Sequence, residues 1–165
     1  MSKIPKLIIN MATLFGTFEG ISIDDKGRIS IPAILRKAVA EKAENTFIII
    51  RGVEGCLFAF PKDQWLVFWN ELQKLPMDRE NTLLIHRILG TLKEAVLDGQ
   101  GRIALTHKLK SLAGIGKVVT IVGEGDKLLV WDPERWTSHL DGTEATPYDT
   151  TLYRAMEKIR KTDNG

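Results

Sequence analysis

The stretch Asp24-Asp25-Lys26-Gly27-Arg28-Ile29-Ser30-Ile31 returns 74 positions later as Asp98-Gly99-Gln100-Gly101-Arg102-Ile103-Ala104-Leu105. The same spacing holds through Leu35/Leu109 and Arg36/Lys110. After a shortened connection the spacing falls to 71, so that Gly52 matches Gly123 and Phe60-Pro61-Lys62-Asp63-Gln64-Trp65 matches Trp131-Asp132-Pro133-Glu134-Arg135-Trp136. Four matching elements in one order, with a single deletion between them, mark an internal repeat. Self-similarity of this kind constrains a fold more than any local propensity. A unit of about 60 residues buries too little surface to be comfortable alone, and packing two copies together supplies the missing core.

Within each copy the apolar spacing changes in a fixed order. Ile21 and Ile23, then Ile29 and Ile31, alternate with polar residues, the period of half-buried strands. Asp24 to Gly27 between them reads as a turn, with Gly27 free to take positive φ. The expectation is a hairpin or strand–turn–strand, with Ile29 and Ile31 facing the core and Arg28 and Ser30 facing away. Val96, Asp98, Gly101, Ile103 and Leu105 repeat the pattern. Pro32 then suits the first position of a short helix with Ile34, Leu35 and Ala38 as its apolar face. Thr106 is an N-cap for the corresponding helix over His107 to Leu112, which Gly114 and Gly116 would end.

The β-branched runs Thr46–Arg51 and Lys117–Val122 pair with Leu57–Phe60 and Leu128–Trp131 across glycine-bearing turns. Pro61 and Pro133 open further helices. Trp65, Phe68, Trp69 and Leu72 fall at i, i+3, i+4, i+7, an amphipathic face, so Trp65 and Trp136 are read as core or interface anchors. Residues 79–92 form a bridging helix with Leu84, Ile88 and Leu92 aligned. Each copy is thus β-β-α-β-β-α. The organisation expected is an extension at 1–13, a first repeat at 14–78, the bridge at 79–92, a second repeat at 93–140 and a polar tail at 141–165. The tail carries a short amphipathic helix through Leu152, Ala155, Met156 and Ile159, which can dock on a neighbouring subunit or on the chain's own core.

Net charge over 165 residues is only +2, too small to announce a nucleic-acid partner. Its distribution is more informative. Residues 21–51 carry net +2 and residues 93–123 net +3, while 124–165 carry net −3. Both positive segments occupy the same part of the repeat, so two equivalent basic elements sit in a near-neutral chain. Scattered solvated charge is the competing explanation.

Other classes fit poorly. The chain is 44% hydrophobic and 27% charged, a globular mix rather than a disordered one. No apolar run reaches the roughly 18 residues of a membrane span, and the first ten residues lack a secretory pattern. Cys56 is the only cysteine. It excludes an intrachain disulfide, fits a reducing cytosol and reads as a buried structural thiol. His86, His107 and His139 share no metal-ligand spacing. Gly114-Ile115-Gly116-Lys117-Val118 lacks both the earlier glycine and the Ser/Thr of a phosphate loop. No enzyme, cofactor, metal or small-molecule substrate is implied.

Arg28 and Arg102 are the first candidates for contact with double-stranded DNA. An arginine fork matches a phosphate or the O6 and N7 of guanine. Lys26, Arg36 and Lys37, with Lys108 and Lys110 in the second copy, would add phosphate contacts that position rather than specify. Asp24 and Asp98 stand four residues before the arginines. An aspartate there could pin the hairpin, orient the guanidinium, or do both. Gly27 and Gly101 would let the backbone approach a phosphate.

Gly20 to Arg36 (GISIDDKGRISIPAILR), Gly55-Cys56-Leu57 followed by Pro61 and Trp65, and Asp98 to Leu105 together resemble the MraZ family over about residues 14–140. The resemblance implies a mainly β fold with short helices, built from two AbrB-like swapped-hairpin repeats packed as an intrachain pseudo-dimer. It implies a cytoplasmic, nucleoid-associated regulator of bacterial transcription that assembles into homo-oligomeric rings. Such a protein would bind tandem short DNA repeats upstream of its own division and cell-wall gene cluster. Thr106-His107 replaces the proline the pattern carries after the second strand, and Ala104 is bland, so the two copies are expected to touch DNA unequally. AbrB-like relatives also include antitoxins with a toxin-binding tail, so a protein-interaction role for 141–165 is the alternative.

Overall fold

The computed structural model describes residues 13–142 and 147–165. The extension read at 1–13 falls outside them except for Thr13, as do residues 143–146 of the tail. The first copy runs β1 (Leu14–Ser22), β2 (Arg28–Ser30), α1 (Ala33–Ala38), a 3-10 turn (Glu41–Ala43), β3 (Thr46–Arg51), β4 (Leu57–Pro61) and α2 (Lys62–Gln73). Helix α3 (Arg79–Leu89) follows. The second copy runs β5 (Lys93–Val96), β6 (Arg102–Ala104), α4 (His107–Leu112), β7 (Val118–Gly125), β8 (Leu128–Trp131) and α5 (Pro133–Asp141). Helix α6 (Tyr148–Asp163) ends the chain. No described helix is long and apolar enough to cross a membrane.

The expected cap at Thr106 is formed, and Asp132 adds another. The Thr106 side chain accepts from the Leu109 amide at 3.2 Å. Asp132 accepts from Arg135 at 3.1 Å, with Pro133 at the first position of α5. Pro32 and Pro61 stand one place earlier than expected, at the cap itself. Ile34, expected on the apolar face of α1, is exposed, and Leu35 alone is buried there. Leu84 likewise lies outside the packed face of α3, which Ile88 anchors.

The strands form an open antiparallel sheet of six, ordered β1-β7-β8-β4-β3-β5, and a separate ribbon of two, β2-β6. The turn between β1 and β2 is real: the Asp24 amide donates to the Arg28 carbonyl and Gly27 to Asp24, both at 3.0 Å. Beyond a single bridge at Ile23 and Ile29, however, the two strands separate. β1 pairs with β7 and β2 with β6, while β5 pairs with β3. Each copy thus lends its first two strands to the other. Both central pairings are centred on equivalent residues, Ile29 opposite Ile103 and Phe58 opposite Leu129. A pseudo-two-fold axis therefore runs through the ribbon and the middle of the sheet.

One correspondence shifts. Gly123 faces Leu128 as Arg51 faces Leu57. Gly123 therefore stands where Arg51 stands, not Gly52; the spacing is 72 across β3 and β7, and one of the three missing residues falls in the β7–β8 turn. Side-chain parity requires this, because a one-residue slip would turn Val119 and Ile121 out of the core.

The main core lies between the ribbon and the sheet. Ile29, Ile31, Ile103 and Leu105 pack there against Phe47, Ile49, Val119, Ile121 and Val130. On the far side of the sheet, α2 and α3 cover Ile48, Ile50 and Phe60 with Trp65, Leu72 and Ile88. There Trp65 is a core anchor, stacked on Trp69 at 6.0 Å. Trp136 packs on Trp131, near Cys56 and Leu129. Burial, with Glu124 as a lesser contributor, pushes the Cys56 thiol up to about 11, so the thiol stays protonated at neutral pH.

Candidate nucleic-acid interface

The ribbon's inner residues, Ile29 and Ile103, are buried, and its outer face carries four side chains. The register sets Arg28 opposite Ala104 and Ser30 opposite Arg102. The arginines thus lie on one diagonal of the outward face and the two small residues on the other. At each end of the ribbon a tight turn projects, Asp24–Gly27 at one and Asp98–Gly101 at the other.

The two turns are built identically. Asp24 Oδ1 accepts from the Lys26 amide at 3.0 Å and the Arg28 amide at 2.9 Å, and Oδ2 accepts from Arg28 Nε at 2.7 Å. Asp98 Oδ1 accepts from Gln100 and Arg102, both at 2.9 Å, and Oδ2 from Arg102 Nε at 2.8 Å. The Arg28 amide leads in holding the Asp24 carboxyl below its ordinary range, and the Arg102 amide does the same for Asp98. The pinning role is therefore made in both copies. It leaves chemistry over, because only Nε of each guanidinium is used on its own turn. Neither Nη of Arg28 has a partner among the described residues, while Arg102 Nη1 stands 3.6 Å from Asp24 Oδ2. An arginine oriented by a carboxylate at Nε retains its Nη groups for donation to a base or phosphate.

Gly27 and Gly101 both have φ of 75°. A Cβ at Gly27 would stand 2.9 Å from the Leu105 carbonyl oxygen, which the turn approaches because the Leu105 amide donates to the Gly27 carbonyl at 2.8 Å. Ile31 bonds Gly101 in the same way at 2.9 Å. The turn glycines therefore serve the seam between copies as well as the turn.

The other predicted cations separate into two sets. Arg36 donates from Nε to the Ile31 carbonyl at 2.9 Å and lies over Gly101, while its counterpart Lys110 lies over Gly27. Each closes the opposite copy's turn. Lys26, Lys37 and Lys108 are exposed and form no ion pair among the described residues. Lys26 belongs to the first turn, Lys37 to α1 and Lys108 to α4. Ser30 and Ala104 also stand on the outer face, and Gln100 on the second turn, beyond the residues the sequence singles out. The alternation along β2 and β6 marks the first two, and the 74-residue spacing places Gln100 at the position of Lys26.

Comparison with known proteins agrees with the internal repeat. The sequence model of the family described as "MraZ protein, putative antitoxin-like" matches twice, over residues 14–88 and 88–158. A protein of Lactobacillus helveticus named transcriptional regulator MraZ is 37% identical over 118 residues, 71% of this chain and 80% of its own length. Its namesake in Thioalkalivibrio sulfidiphilus is 34% identical over 78% of this chain and 86% of that one. That of Alkaliphilus metalliredigens is 31% identical over 82% and 92%. With two copies of the family pattern in tandem and relatives matched over most of both chains, this chain belongs to the MraZ family.

Proposed function

We propose that this chain is a sequence-specific DNA-binding regulator of transcription. The observation that carries the reading is the outward face of the β2–β6 ribbon, where Arg28 and Arg102 are fixed at Nε by Asp24 and Asp98 and Arg28 keeps both Nη groups without a partner among the described residues. A major groove about 12 Å wide admits a two-stranded ribbon. The two arginines would then reach base edges, while Lys26, Lys37 and Lys108 meet phosphates on either side. Arg36 and Lys110 act mainly by closing the turns. The relatives' names point the same way.

The exchange of β1–β2 and β5–β6 between copies supports the AbrB-like swapped-hairpin reading, with one chain standing in for a dimer. One ribbon offers few phosphate contacts. Several ribbons on a homo-oligomeric ring would gain avidity on tandem short repeats spaced to match, upstream of the chain's own gene cluster.

The test is fluorescence anisotropy on DNA from just upstream of the gene, beside a scrambled duplex and a salt series. Preference for the native duplex and weakening with salt are expected. Arg28→Ala should cost about 1–3 kcal/mol and relax base preference. Lys37→Ala should weaken all duplexes alike and lower the salt slope by about 1. Equal binding of native and scrambled duplexes would reject the reading. A protein-partner role is the second reading, favoured by α6, none of whose residues is buried.

A further inference from the structure

The ribbon is two-fold in its backbone but not in what it shows. Because β2 and β6 run antiparallel, each end combines both copies. At one end Arg28 stands opposite Ala104, next to the turn that carries Lys26 and beneath Lys110. At the other end Arg102 stands opposite Ser30, next to the turn that carries Gln100 and beneath Arg36. Ser30, Ala104, Lys26 and Gln100 are all exposed. The guanidinium and its aspartate are the same at both ends. On the outer face and at the turns the ends differ by a methyl against a hydroxyl and an ammonium against a carboxamide, and Asp25 against Gly99, Lys110 against Arg36 and the 3.6 Å approach of Arg102 Nη1 to Asp24 add to the asymmetry.

These groups ask for different base pairs. An alanine methyl favours a thymine methyl and gives nothing to a polar edge. A serine hydroxyl accepts or donates, and a glutamine amide matches the N6 and N7 of adenine. A lysine in the turn is a point charge suited to phosphate. We infer that the ribbon is directional: Ala104 makes the Arg28 end select an apolar thymine edge beside its guanine, with Lys26 on the phosphate, while Ser30 and Gln100 make the Arg102 end select a hydrogen-bonding edge. This rests on the DNA-binding reading above and names three residues that set base preference. A homodimeric ribbon of the same design would be bound to an inverted repeat, whereas this one seats in a single orientation.

The test is selection of bound duplexes by the intact protein from a randomised pool, followed by sequencing, with Ala104→Ser, Ser30→Ala and Gln100→Ala selected in parallel. These substitutions on the outer face leave the turn hydrogen bonds and the buried residues in place, and circular dichroism checks that each variant is folded. The wild type is expected to yield a motif without two-fold symmetry. Ala104→Ser should lose thymine preference at one end only, on the order of fivefold. Ser30→Ala and Gln100→Ala should each relax positions at the other end by a similar factor. A two-fold symmetric wild-type motif overturns the inference, as do folded variants that leave every position unchanged or alter the same position. Both outcomes leave the regulator reading standing. Failure to enrich any motif overturns that reading, and the inference with it.

Discussion

Both oxygens of Asp24 are committed inside its turn, one to two backbone amides and one to Arg28. The carboxylate form is what those donors require, so the turn titrates with it. The same holds for Asp98, and both folded values lie below the ordinary 3.8. A depressed folded value means that the contribution to stability is complete above the unfolded value and is lost as pH falls through the folded one. Thermal stability should therefore show no dependence on these two groups between pH 7 and about 5. Below the ordinary aspartate value it should fall, and Asp24→Asn with Asp98→Asn should flatten that acid limb. Melting curves across pH on the two forms decide it; an unchanged limb would detach the aspartates from stability. Lys127 follows another logic. Burial works against its charge, but Glu124 at 2.9 Å and Asp126 at 3.1 Å more than offset this, and its pKa rises. Its ammonium also lies 5.0 Å from the centre of the Phe58 ring, which joins the β7–β8 turn to the first copy.

At the scale of elements, the turns fix the ribbon and the ribbon fixes the seam. Gly27→Ala would force a Cβ into left-handed backbone and against the Leu105 carbonyl of the other copy. It should cost about 1–3 kcal/mol, read as a lower melting temperature, and Gly101→Ala should do likewise. Gly99→Ala has open space around its Cβ and serves as the neutral comparison. Much of this was legible in the chain because it is local. Alternation placed Ile29 and Ile103 inside and Arg28 and Ser30 outside. Cap chemistry placed α4 behind Thr106, and Pro133 marked the opening of α5. Pairing partners were not legible, because a strand's pattern says which face is apolar and not which edge is met. Nothing in Arg28-Ile29-Ser30 announces that Arg28 will face Ala104 rather than a residue of its own hairpin. The roles of Arg36 and Lys110 were hidden for the same reason: each lies on a glycine of the other copy, more than sixty residues away in one case and eighty in the other. Helix α6 was expected to be short; it runs Tyr148–Asp163, because helical periodicity continues through residues whose polar character suggested a tail.

For the whole molecule, the exchange of strands makes two copies one cooperative unit. Residues 14–78 and 93–142 expressed separately should show little native circular dichroism, since β1, β2 and β3 lack β7, β6 and β5. Mixed, they should regain a joint melting transition. Two independent transitions from the separate pieces would contradict the interlocked core. Removal of 143–165 should leave the melting temperature of the remainder nearly unchanged, because no residue of α6 is buried. Loss of higher assembly or of a protein partner in that truncation, with DNA binding kept, would assign α6 to that task. The interlocking also bears on synthesis. Leu14 waits for Gly125 and Phe18 for Ile121, so the opening strand leaves the ribosome on the order of 5–20 s before its partner at about 5–20 residues per second. Throughout that interval Leu14, Phe18 and Ile21 have no finished sheet to enter. The nascent chain therefore carries an unpaired apolar edge until the last strands emerge.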